Sequence, residues 1–208
     1  MGELASNAVN AGHVVSYWLA DSEASPHAAI AQKNRWYRGG DEVDSEIRAG
    51  FTDAVEMAVS GQLDHWCSTS RGALGLVILL DQFTRTIYRG TSAAFSGDAH
   101  AHELVVDLVE RGLDRELSVP ARIFFYHPFH HAENLTEQNR GVELLRRMLP
   151  DYPPAWHGYI QKSIAGFSRH RDIVARFGRF PHRNSAVGRA ATPDETAYLA
   201  GGPDRFGQ

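Results

Sequence analysis

The chain has 208 residues, 43% of them hydrophobic and 10% aromatic, enough apolar material for one packed domain and too much for a disordered chain. Its formal net charge of -4 argues against general nucleic-acid binding, and its longest apolar run, Leu76 to Leu80, is far short of the roughly 20 residues of a membrane helix. The one cysteine, Cys67, allows no intramolecular disulfide and no cysteine-pair zinc site, and Glu3 stands where a secretory leader carries positive charge, so the expected location is cytoplasmic.

Helical spacing dominates, and strand-like alternation is scarce. Asp44 is a candidate N-cap for a helix with Ile47, Phe51, Val55 and Ala58 on one face, ending near Gly61. A second helix is expected from Thr69 or Ser70 through Leu74, Val77, Ile78, Phe83 and Ile87 to Gly90; its run Leu76 to Leu80 is apolar all round, which places it in the middle of the fold. Asp98 opens a third, carrying Leu104, Val105, Leu108 and Val109 to Gly112. Ser118 and Pro120 open a fourth, which Pro128 is expected to interrupt.

Asn134 and Glu137 have capping-box spacing for a fifth helix, which ends before Pro150. Pro153 and Pro154 then suit the first turn of a long helix through Tyr159, Ile160, Phe167 and Val174, which Gly178 stops. Thr192-Pro193-Asp194-Glu195 combines a cap, a first-turn proline and a capping-box glutamate. These signals predict an all-α fold, a single domain of six or seven helices on short turns, with antiparallel neighbours.

Three clusters carry polar chemistry. Asp81, Gln82 and Arg85 follow the apolar run directly, and Asp81 and Arg85 share a face at i,i+4. Charged groups beside a core are either a buried pair that pins helices or the edge of a polar cavity, and both readings stand. The second cluster is His127-Pro128-Phe129-His130-His131-Ala132-Glu133, followed by Gln138. On one helical turn His130 and Glu133 sit at i,i+3, which suits proton transfer, metal ligation or simple capping; no zinc or di-iron helix motif supports a metal. The third is Gly178-Arg179-Phe180-Pro181-His182-Arg183-Asn184. Its arginines, His182 and Asn184 can receive an anionic group or cap helix ends.

The wider segment from Arg169 to Arg189 holds six arginines against one aspartate, in a chain whose only lysines are Lys33 and Lys162. No phosphate loop, dinucleotide fingerprint or serine-nucleophile elbow occurs, so the residues name no cofactor.

Taken with Val14-Val15-Ser16-Tyr17-Trp18, the stretch Asp44 to Phe51 and Tyr88-Arg89-Gly90, these clusters resemble the bacterial family known as domain of unknown function 924. Thr84 and Thr86 stand where that family commonly has proline and asparagine, and Ala132 where serine is usual. The resemblance implies a tetratricopeptide-repeat-like array of antiparallel helical hairpins and brings no substrate. The expected site gathers His130, Glu133, His182 and Asp81 for proton transfer, with Gln82, Arg85, Gln138, Arg179, Arg183 and Asn184 holding a small anionic ligand. A helical scaffold binding a peptide or protein partner in its concave face is the alternative.

Overall fold

A computed structural model describes residues 9–38 and 40–202, without the side chain of residue 38. The first eight residues, which carry the argument about a leader, lie outside the described part. Among the described residues the secondary structure is entirely helical. The helices are α1 (Ala11–Leu19), α2 (Pro26–Arg38), α3 (Gly40–Val59), α4 (Ser70–Val77), α5 (Thr84–Ile87) and α6 (Asp98–Glu110), then α7 (Val119–Phe125), α8 (His127–His131), α9 (Leu135–Arg147), α10 (Pro154–Phe177) and α11 (Pro193–Ala200). One large apolar core runs through α1 to α10, so the architecture is a single all-α domain. No described helix is long and apolar enough to cross a membrane.

The middle of the fold is a continuous rod. Thr69 caps α4 by accepting the Gly72 N–H, and Ala73 to Leu80 are without solvent exposure. Each large side chain buried in this way contributes roughly 1.5–3 kcal/mol. Between α4 and α5 the rod widens into a π-helical segment, Ile78–Phe83, where the Thr84 N–H donates five residues back to the Leu79 carbonyl. Side chains satisfy the carbonyls that this widening frees. Thr84 Oγ1 donates to Leu80 O at 2.7 Å and Arg85 Nη1 to Asp81 O at 2.7 Å. Such segments interrupt α-helices mostly at functional places.

Several helix ends fall where the spacing puts them. Asn134 caps α9 through the Thr136 and Glu137 amides, Gly178 ends α10 at φ 69°, and Thr192 with Glu195 closes a full capping box on α11. Others differ. α3 begins at Gly40, four residues before Asp44; that aspartate lies inside the helix and pairs with Arg89 at 3.0 Å. Pro128 does fall at the expected break: α7 ends at Phe125, and the proline stands in the first turn of the separate helix α8, where a missing N–H costs nothing. Glu137 does not complete a box on Asn134, because it holds His102 instead.

α9 and α10 pack closely along their lengths across the short link 148–153, which makes them antiparallel. α10 also meets α2, and α6 meets both the π segment and α8. Gly97, at the start of α6, permits that last approach: a Cβ there would lie 2.3 Å from the Leu80 carbonyl oxygen. The N-terminus of α6 is therefore seated against the widened turn that carries Asp81.

Candidate functional site

Asp81 leaves the π segment with no solvent exposure. Such a carboxylate needs partners, and the surrounding elements supply them: Gln82 Nε2 donates to Oδ2 and His131 Nδ1 to Oδ1 at 2.7 Å, while the Arg85 guanidinium forms an ion pair with Oδ1 at 3.3 Å. A carboxylate accepts only, so His131 carries its hydrogen on Nδ1 and presents a bare Nε2. His131 is the last residue of α8, and its side chain is 16% exposed.

Asp98, in the first turn of α6, lies between two arginines. Arg85 grips it with both terminal nitrogens at 2.8 and 3.0 Å, and Arg183 reaches it at 3.2 Å. Arg183 comes from the short turn Pro181–Arg183; its other terminal nitrogen donates to the His131 carbonyl at 3.1 Å. The Phe95 ring lies against both guanidinium groups, at 5.6 Å for Arg85 and 4.6 Å for Arg183. Arg183 Nε is buried without a hydrogen-bond partner.

These side chains line a cleft of about 300 Å³, whose polar wall is Asp81, Asp98, His102, His131, Glu133 and Arg183 and whose apolar wall includes Phe95 and Pro128. Burial first, then the charges of Arg85 and Arg183 and the neighbouring histidines, holds His131 well below the ordinary histidine range. Its imidazole is neutral. Burial and the adjacent Arg85 also pull Arg183 down to about 10, against the attraction of Asp98, while burial above all raises Asp98. The cleft thus holds a neutral base beside the Arg183 guanidinium, with the carboxylates of Asp81, Asp98 and Glu133 around them.

The residues expected from the sequence divide in two. Asp81, Gln82, Arg85, Glu133 and Arg183 come to the cleft or its immediate support. His130 and Glu133 do not form a pair. α8 stops at His131 and Ala132 is extended, so the helical i,i+3 relation never exists. Glu133 instead accepts from the Phe180 amide at 2.7 Å and from Arg189, which overcome the burial opposing its charge and hold it below the usual range. His130 stacks on Phe167 at 4.2 Å and lies 3.6 Å from His170, ring to ring, with Nδ1 buried and without a hydrogen-bond partner.

Gln138 donates to the carbonyls of His130 at 2.6 Å and Ala132 at 2.9 Å, tying α9 to the end of α8. Arg179 and Asn184 both hold Glu195, Arg179 through two bonds at 2.7 and 2.8 Å, and so anchor α11 rather than face the cleft. His182 packs beside Phe180 at 5.4 Å and is absent from the cleft wall. Among the described residues no group of three or more His, Cys, Asp and Glu side chains is arranged to hold a metal ion. Burial and Asp64 push the Cys67 thiol up to about 11, so it is no ready nucleophile.

The sequence reading passes over His131, Asp98 and His102. The partners of His131 and His102 lie 50 and 35 residues away, beyond any local spacing rule. Asp98 looks like an ordinary helix opener until Arg85 and Arg183 are seen on either side.

A family model described as bacterial protein of unknown function (DUF924) matches residues 14–203. A solved structure of a protein of unknown function from Agrobacterium tumefaciens, ATU0120, is similar at 33% identity and a TM-score of 0.75, covering 91% of this chain and 96% of that one. Comparison with curated proteins gives no match.

Proposed function

The chain belongs to the family of bacterial proteins of unknown function DUF924, and since that family carries no assigned activity, we propose one from the geometry: a small-molecule enzyme whose base is His131. The supporting observation is the 2.7 Å bond from His131 Nδ1 to the buried Asp81. It fixes the tautomer and leaves Nε2 without a hydrogen on a ring that lines the cleft, the arrangement by which a carboxylate prepares imidazole for general-base catalysis. Arg183, with Arg85 behind it, receives the anionic group of the ligand. A cleft of about 300 Å³ suits a small molecule better than a peptide. The antiparallel α9–α10 pair is the unit that a tetratricopeptide-like array would repeat, and the concave face of such an array is where a peptide or protein would bind in the scaffold alternative.

Haloacetates test this without a known substrate, because an accessible neutral imidazole nitrogen displaces bromide from them. Bromoacetate should carboxymethylate His131 at Nε2 at least about tenfold faster than bromoacetamide does, as the Arg183 guanidinium draws the carboxylate to the cleft. Peptide mapping by mass spectrometry reads the site. Labelling confined to exposed histidines such as His27 and His65, or equal rates for the two reagents, would remove the anionic-substrate base from consideration.

A further inference from the structure

His102 is the one other histidine in the cleft wall. It comes from α6, one turn beyond Asp98, while His131 comes from α8. Its Nε2 lies 2.9 Å from Glu137 Oε2, with 26% of its side chain exposed. The two rings are held alike. Each gives one N–H to a carboxylate, His131 through Nδ1 and His102 through Nε2, and both rings line the cleft. Their surroundings are opposite in kind. His131 is crowded by Arg85, Arg183 and the rings of His127, His130 and His170. His102 has the carboxylate of Glu137 at one side and the edge of Phe129 at 5.4 Å, with solvent beyond.

We infer that His102 is a second proton-transfer residue of this cleft, the acid to the base of His131, acting on a small ester that bears an oxyanion. Two like groups in unlike environments divide the roles: His131 lies among cations, and His102 has the Glu137 carboxylate beside it. His131 Nε2 takes a proton from water as the water oxygen bonds to the acyl or phosphoryl centre. The bond from that centre to the leaving oxygen breaks, and His102 Nδ1 supplies the proton that the leaving oxygen needs. Solvent then removes the proton from His131 and restores the one on His102. One water is consumed, and an acid and an alcohol are released. Arg183 faces the charge that builds on the reacting centre. The inference rests on the reading of His131 as the base.

The test uses the full chain labelled with ¹⁵N and ¹³C at histidine, with inorganic phosphate as the probe. Phosphate should shift the His102 and His131 ring signals along one saturating curve, with His102 protonated on both nitrogens in the bound state, and H102Q should weaken phosphate binding about tenfold without changing the His131 tautomer. A shift at His131 alone, or a bound His102 that is neutral, overturns the role of His102 and leaves the base in place. A shift at His102 alone separates the two rings and overturns the pairing. No saturable shift at either removes both this inference and the anion-binding reading on which it stands.

Discussion

At the scale of single residues the cleft depends on one carboxylate. Asp81→Asn keeps the shape but exchanges an obligate acceptor for a group that can also donate, so His131 loses both its tautomer and its orientation. The expected result is a ten- to hundredfold slower reaction of His131 with bromoacetate, about what loss of a carboxylate that orients an imidazole costs. The same labelling measures it, and Arg179→Ala, whose guanidinium serves Glu195, should leave the rate unchanged. A rate unaltered by D81N would show that His131 does not depend on the carboxylate. Asp81 and Arg85 can be found in the sequence because charges beside an apolar run are conspicuous, and Arg183 because it belongs to a dense arginine cluster. His131 cannot be preferred over His130 on spacing, since the helix that would justify His130 with Glu133 ends two residues short of Glu133. The two adjacent rings point into different surroundings, His130 onto Phe167 and His131 onto Asp81.

At the scale of elements, the site is the meeting of the π segment with α6 and α8. Punctuation by Thr69, Asn134, Gly178 and Thr192 is readable because caps act over three or four residues. The widening at Ile78–Phe83 is not, for its causes are the side-chain bonds of Thr84 and Arg85 and the packing of Gly97. The spacing yields fewer helices than the fold contains because the caps Asn10 of α1 and Ser25 of α2 are not read as starts, and because two expected helices are each divided, into α4 and α5 and into α7 and α8. Gly97→Ala offers a check on this junction. Its methyl group must displace the Leu80 carbonyl or the start of α6, and overpacking of this kind costs about 1–3 kcal/mol. A melting temperature lower by about 2–4 °C for each kcal/mol is expected in a chain of this size, with slower His131 labelling as Asp98 moves off Arg85 and Arg183. A variant as stable and as reactive as the parent would show that the contact is relaxed elsewhere.

Across the whole molecule, histidine burial sets the response to acid. Burial in each case keeps His127, His130, His131 and His170 below their ordinary range, His170 down to about 3. The unfolded chain binds these protons near pH 6.5 and the folded chain does not, so their contribution is complete above that value and declines as pH falls below it. Each buried ring costs up to about 1.4 kcal/mol per pH unit below 6.5, and four together should make urea denaturation at pH 5 markedly easier than at pH 7. Equal midpoints at the two pH values would show that the rings protonate in place. The π segment has a different consequence, for lineage rather than for energy. Related chains can exchange residues around the cleft and keep it, but deleting one residue from Ile78–Phe83 would let the rod relax to 3.6 residues per turn and close the widened turn that carries Asp81. Length in this stretch is inherited more strictly than spelling, and an insertion or deletion there would mark a descendant that has given up the site while keeping the fold.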